Sequence, residues 1–331
     1  MKPDELDRLS AIIGQPVRAT RTLAGGFSHE TCLLTLADGT RAVARLGGGD
    51  PAVEAAVMNA ARAHVPVPEV LFVVPGGSPE PGGPAEQGRP AMVIEYVPGT
   101  PLSHVLGRDG DRAGEAPLPP AELHDLGRVV GTIAARIGLV ECAGPGFFAS
   151  PDLSVSSGPP WSRQLAGFAA TCLESVPESR LDAATRAGWA SLCAAHAGAL
   201  TAIDQVARLV HADLNPKNLL VSRAADGWRV DAVLDWEFSF AGCPFADAAN
   251  MVRFASDYPP GFAAGFVDGF AAGQSAGPPL NRPALPADWL YLGRVLDMFA
   301  LSDLVTRPAG HLVADQAAEV IRRWVASDGP G

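Results

Sequence analysis

The stretch Leu209–Val221 constrains this chain more than any other. It reads Leu-Val-His-Ala-Asp-Leu-Asn-Pro-Lys-Asn-Leu-Leu-Val. Within it, His211, Asp213 and Asn218 stand in the order His-x-Asp-x-x-x-x-Asn. Apolar residues lead into the polar cluster and others lead out of it, so the cluster is expected on a tight loop between two short strands. A third apolar run, Val230 to Leu234, ends at Asp235. A strand end that brings a second carboxylate beside the first loop supplies hard oxygen donors. Magnesium-dependent phosphoryl transfer requires such donors, because charge spreads over phosphate oxygens in its transition state.

At 331 residues the chain is long enough for two lobes, each with its own core. A hydrophobic fraction of 47% with 18% charged residues describes a folded globular protein. No apolar run approaches the roughly 20 residues of a membrane helix. The first residues, Met-Lys-Pro-Asp-Glu-Leu-Asp, carry no apolar core, so no secretory signal and a cytoplasmic location are expected. Five scattered cysteines without a Cys-x-x-Cys suit reduced thiols and argue against structural zinc. The net charge of -11 argues against a nucleic-acid partner.

His211–Asn218, followed by Asp235-Trp236-Glu237 and then Gly242-Cys243-Pro244-Phe245-Ala246-Asp247, resembles the aminoglycoside phosphotransferase-like kinases, which phosphorylate small molecules. The resemblance implies an α+β, bilobal, protein-kinase-like fold. Residues 1–97 would form a nucleotide-binding lobe, a small antiparallel sheet with one main helix. Residues 98–331 would form a larger, mostly helical lobe with the catalytic loop and substrate site. The implied cofactors are ATP or GTP and Mg²⁺. Asp213 would be the base or the carboxylate that orients the attacking hydroxyl, and Asn218 and Asp235 the metal ligands. His211 reads as a structural brace, Asp247 as the helix aspartate that ties down the loop, and Glu237 as a carboxylate open to cation, substrate or surface.

Along the chain, a helix over 1–14 precedes strands near 17–23, 31–36 and 41–46. Gly25-Gly26 and Ser28 lie in the first turn. Read alone, that turn is an ordinary hairpin; in the resemblance, its backbone N–H groups approach the nucleotide phosphates. His29 stands where the family usually shows Asn. Asp38-Gly39 is a hairpin turn signal. Arg45 takes the place of the phosphate-pairing lysine, with Arg41 as a nearby competitor. Asp50-Pro51 starts a helix that runs to His64 and carries Glu54, the partner the resemblance implies for the strand cation. A strand at 70–74 and a Pro/Gly-rich loop at 75–90 lead to a strand over Ala91–Val97. There, backbone groups of Glu95 and Val97 would hold the purine.

Helices are expected over 120–139, 161–175, 181–204, 245–256, 260–273, 286–306 and 311–327, with 143–160 as loop. The resemblance implies a small-molecule acceptor, such as a cationic aminoglycoside or a nucleoside antibiotic, and neither nucleic acid nor membrane as partner. A metabolic alcohol remains open within the same chemistry. A protein kinase is less consistent, because no Ala-Pro-Glu and no long Ser/Thr-bearing segment separates Asp235 from Asp247. A non-catalytic pseudokinase is left open by Arg45 and His29, although Asp213, Asn218 and Asp235 are all retained.

Overall fold

The computed structural model describes residues 3–23, 29–74, 76, 89–107, 117–275 and 285–330. Gly25, Gly26 and Ser28 lie outside the described residues. The N-terminal third holds α1 (Pro3–Ile13), β1 (Val17–Thr22), β2 (Glu30–Leu36), β3 (Arg41–Leu46), α2 (Pro51–Ala61), β4 (Val70–Val74) and β5 (Ala91–Glu95). The strands form one antiparallel sheet in the order β1-β2-β3-β5-β4.

Strand periodicity sorts the side chains of this sheet into two sets. Ala42, Ala44, Leu46, Ala91 and Val93 pack with Leu9 and the β2 residues Cys32, Leu34 and Leu36 in a small core of their own. Met92 and Ile94, together with Ala55, Val57 and Met58 of α2, belong instead to the main core of the molecule. Arg45 lies between Ala44 and Leu46, so its side chain falls on the α2 side. Helix α2 begins as its sequence requires: Asp50 accepts the Ala52 N–H at 2.8 Å, and Pro51 opens the first turn.

The rest of the chain is mainly helical. It comprises β6 (Thr100–Pro101), α3 (Leu102–Val105), α4 (Pro120–Ile137), β7 (Gly146–Phe148), β8 (Val155–Ser156), α5 (Trp161–Glu174), α6 (Ala183–Ala197), β9 (Arg208–Val210), β10 (Leu219–Ala224), β11 (Gly227–Val233), β12 (Phe240–Gly242), α7 (Phe245–Val252), α8 (Phe262–Ser275), α9 (Trp289–Leu304) and α10 (Leu312–Ala326). Two small sheets carry the loops that matter: β11-β10-β6 and β8-β7-β12-β9. This is an α+β, protein-kinase-like fold. Among the described residues, no helix is long and apolar enough to cross a membrane.

Several boundaries differ from the sequence expectation. The strand expected to reach Val97 stops at Glu95, its last pair with Ala42, ahead of Pro98-Gly99. The segment 143–160 is not all loop: Gly146–Phe148 and Val155–Ser156 are strands, because β7 finds β12 as a partner. The helix expected over 181–204 ends at Ala197 and tightens into a 3₁₀ turn over Gly198–Ala202. Such short pieces carry no periodicity of their own and form only because a distant strand offers its edge.

Helices α4 and α8 touch backbone to backbone. A Cβ at Gly127 or Gly131 would collide with the carbonyl oxygens of Phe262 or Phe266, and one at Gly265 or Gly269 with those of His124 or Arg128. The obstructing atoms are backbone, so no side chain can swing away. We expect Gly131→Ala to destabilise the protein by about 2 kcal/mol despite the better helix propensity of alanine. Urea unfolding checks this; a neutral or stabilising result would contradict the close packing.

Candidate active site

Three chain segments meet at Arg45. Its guanidinium pairs with Glu54 of α2 through Nη1, and Nη2 lies 2.5 Å from Asp235 Oδ1. Glu54 also accepts the Trp236 N–H at 3.1 Å. Burial pushes the Glu54 carboxyl up, against the pull of Arg45. The competitor Arg41 is exposed and lies over the Tyr96 ring at 4.0 Å. His29 Nδ1 is 3.2 Å from Arg45 Nη2, and its Nε2 is 3.5 Å from Glu237. Burial and then the Arg45 charge lower the His29 pKa, which suits a neutral ring facing the guanidinium.

Asp235 is delivered by the end of β11. The Val233 N–H donates to Pro66 C=O at 2.9 Å and the Leu234 N–H to Asn218 C=O at 2.8 Å, so the strand end is tied both to the segment after α2 and to the catalytic loop. Asp235 itself has φ of 66°. A left-handed non-glycine residue costs about 1–3 kcal/mol and persists only where its surroundings hold it.

The loop before it carries a second such residue, Ala212, at φ of 67°. Its peptide groups are held on both sides. Asp247 of α7, fully buried, accepts the His211 and Ala212 N–H groups, each at 2.9 Å. Asn250, one helical turn further, donates to the Ala212 C=O at 2.7 Å. Burial pushes the Asp247 carboxyl up to about 7, opposed by the two N–H bonds.

His211 braces the loop. The Asp213 N–H donates to its Nδ1 at 3.2 Å, which leaves Nε2 to donate to the Leu234 C=O at 2.9 Å. This is one neutral tautomer bridging both loops. Burial lowers its pKa to about 4.

Asp213 is positioned by two amides. Asn215 Nδ2 reaches one carboxylate oxygen and Asn218 Nδ2 the other, both at 2.9 Å. Burial and the neighbouring Asp235 charge raise its pKa, while Asn215, Arg253 and Asn218 oppose them. Asn215 also caps the short turn Pro216–Asn218 by accepting the Lys217 N–H. The Arg253 side chain is buried and holds Asp297 of α9 with its Nε 2.9 and 3.0 Å from the two carboxylate oxygens.

The structure therefore brings Arg45, Glu54, Asp235, Asp213 and Asn218 to one place. One ligand atom from each of Asp235, Glu237 and His29 lies within 4.8 Å of the others, close enough to share a cation. Glu95 sits apart, at the end of β5; its N–H donates to Glu69 C=O at 2.8 Å and its carboxylate accepts the Glu69 N–H at 3.1 Å. Val97 follows it, half-buried. Sequence reasoning passed over Asn250 and the Arg253–Asp297 pair. The three-residue spacing of Asp247 and Asn250 was a readable signal that both face the same loop; nothing local marks Asp297 as the partner of Arg253.

The sequence matches the model of a family described as "Phosphotransferase enzyme family" over residues 19–281. The chain belongs to this phosphotransferase family. It is an enzyme of the kinase type, acting on hydroxyl groups. No curated protein matches the sequence. Among solved structures, the aminoglycoside phosphotransferase APH(4)-Ia is similar at 18% identity and a TM-score of 0.66, over 98% of each chain. A putative fructosamine-3-kinase from Thermobifida fusca is similar at 16% identity and a TM-score of 0.57, over 96% of this chain and 98% of that one. The macrolide 2'-phosphotransferase MphH from Brachybacterium faecium is similar at 20% identity and a TM-score of 0.53, with the same coverage. At these identities the likeness to solved structures concerns the fold of the phosphotransferase, not its acceptor.

The His211 geometry carries a pH consequence. Its folded pKa of about 4 lies below the ordinary 6.5, so between these values the unfolded chain binds a proton that the folded chain does not. Stability from this group is full above pH 6.5 and falls as the pH drops toward 4, by up to about 3 kcal/mol. Asp247, with its raised pKa, contributes the opposite slope. The His211 part is therefore the difference between parent and His211→Gln in urea unfolding at pH 7 and 4.5. We expect the parent to lose more stability on acidification than the variant.

Proposed function

We propose that this phosphotransferase moves the γ-phosphoryl group of ATP or GTP to a hydroxyl of a small-molecule antibiotic, of the aminoglycoside or nucleoside type, as a cytoplasmic resistance enzyme. The observation that carries the reading is the Asp213 carboxylate, fixed by two amides beside the Asp235 carboxylate and the Asn218 side chain. Phosphoryl transfer depends mainly on positioning and electrostatics, and this site is held on every side. A related structure, a thermostable mutant of APH(4)-Ia, was solved as a ternary complex with ADP and hygromycin B.

In this reading residues 1–97 form the nucleotide lobe and residues 98–331 the lobe that carries the acceptor. Gly25, Gly26 and Ser28 approach the phosphates, Arg45 pairs with them under the hold of Glu54, and the backbone at Glu95 and Val97 meets the purine. Asp213 accepts the proton of the attacking hydroxyl, or orients that hydroxyl. The donors fit Mg²⁺: Asn218 gives its Nδ2 to Asp213 and keeps its amide oxygen, and Asp235 adds a carboxylate. When bound, the ion would supply positive charge to the phosphate oxygens.

Asp213→Ala is expected to lower turnover by at least about a thousandfold while thermal unfolding stays cooperative. Equal turnover in variant and parent would remove Asp213 from its role. Asp235→Asn and Asn218→Ala are expected to raise the Mg²⁺ concentration needed for half-maximal rate. A screen by mass for added phosphate, across aminoglycosides, nucleoside antibiotics, macrolides, small alcohols and a generic protein, tests the acceptor. Modification of the protein alone would overturn the small-molecule reading.

A further inference from the structure

One group of side chains next to the catalytic loop has no part in the chemistry above. Five aromatic rings form a continuous array: Phe147 of β7, Trp161 and Phe168 of α5, Phe240 of β12 and Phe299 of α9. Trp161 is the hub, with centroid distances of 5.8 Å to Phe147, 5.3 Å to Phe240 and 6.0 Å to Phe299; Phe168 extends the array from Phe299 at 5.4 Å. The rings meet at tilted or edge-on angles, as aromatic packing favours. Yet the array is not closed over. Phe147 is 58% exposed and Phe168 is 40% exposed, while Trp161, Phe240 and Phe299 are half-buried.

Its place in the fold joins it to the reaction. Phe240 lies opposite both Phe147 and Val210 in the sheet, and Val210 is three residues ahead of Asp213. The preceding residue, Ser239, has its hydroxyl 3.5 Å from the His211 C=O. The array also offers a polar handle. Among the described residues, the Trp161 indole N–H has no acceptor, as is true of Trp289 and Trp324, whereas those of Trp189, Trp228 and Trp236 each donate to one.

Charge narrows the occupant. Two carboxylates beside these segments are already engaged. Asp204 accepts the Ser162 N–H at 2.9 Å and its hydroxyl at 2.5 Å, and Asp297, two residues before Phe299, is held by Arg253. A polyamino sugar needs carboxylates for its ammonium groups; a flat ring needs apolar faces and an edge donor.

We propose that the array Phe147–Trp161–Phe240–Phe299, with Phe168 at its rim, is the acceptor-recognition surface, and that it selects hydroxyl compounds bearing a flat aromatic or heteroaromatic ring over polyamino sugars lacking one. This rests on the kinase reading, and it chooses between the two antibiotic classes named there.

Two measurements test it. The first is binding, with Mg²⁺ and AMP-PNP filling the nucleotide site, read as quenching of Trp161 fluorescence (parent minus Trp161→Phe) on adding puromycin or hygromycin B. Quenching by puromycin alone is expected, and it should persist in Asp213→Ala. The second is the KM for each compound in the parent, Phe147→Ser and Phe168→Ser, both rim positions where exposure makes unfolding a small risk. We expect KM for puromycin to rise about fivefold in either variant, with kcat and the KM for ATP little changed. Quenching by hygromycin B alone, quenching by neither compound, or an unchanged puromycin KM in both variants would overturn the proposal. Loss of transfer in every protein with the puromycin quench intact would instead reject the kinase reading and leave the surface standing.

Discussion

A buried guanidinium surrounded by carboxylates holds this molecule together at its working centre. Arg45 comes from the sheet, Glu54 from the helix laid across it, and Asp235 from a hairpin almost two hundred positions further along. Removing water from ions is unfavourable unless every charge finds a partner, so none of the three segments can leave without stranding the others. Strand alternation places Arg45 on that face, and the Asp50-Pro51 start sets where Glu54 emerges. The ion group is therefore a joint between sheet, helix and hairpin. An anionic ligand that drew Arg45 toward itself would compete directly with Asp235.

A second hold works through backbone rather than charge. Ala212 and Asp235 both adopt left-handed backbone, which neither residue prefers without help. The groups that compensate come from elsewhere: Asp247 and Asn250 from one helix, His211 spanning the two loops. Once these bonds are made, Asp213 has little freedom left, and its two asparagine contacts settle the direction of its carboxylate. Local strain is the consequence of presenting three polar side chains from two tight turns, and the buried polar groups beneath those turns sustain it.

Much of this was readable from the residues in order. The His211–Asn218 loop, its hairpin, the Asp50 cap and the alternation in β2 and β3 all leave local marks, and the fold class followed from the resemblance that the loop motif carries. Alternation puts Arg41 and Arg45 on the same face of β3, so it does not choose between them; Arg45 stands at the end of the strand that meets Glu54 and Asp235, and Arg41 at its exposed start. What stayed hidden was long-range. The strands at Gly146–Phe148 and Phe240–Gly242 are three residues each and form only through pairing with each other and with the short strands on either side. Asp297 meets Arg253 across two helices, and no spacing rule connects positions so far apart. The aromatic array gathers rings from four elements, so its members look like unrelated core residues when read one at a time.

The glycine contact between α4 and α8 bears on how such a molecule moves. Where two helices meet through main chain, there is no layer of side chains to slip, change rotamer or absorb a displacement. The pair behaves as a single plank. Any closing motion of the catalytic region must then be hinged outside it, and the plank supplies the fixed ground against which that motion is made.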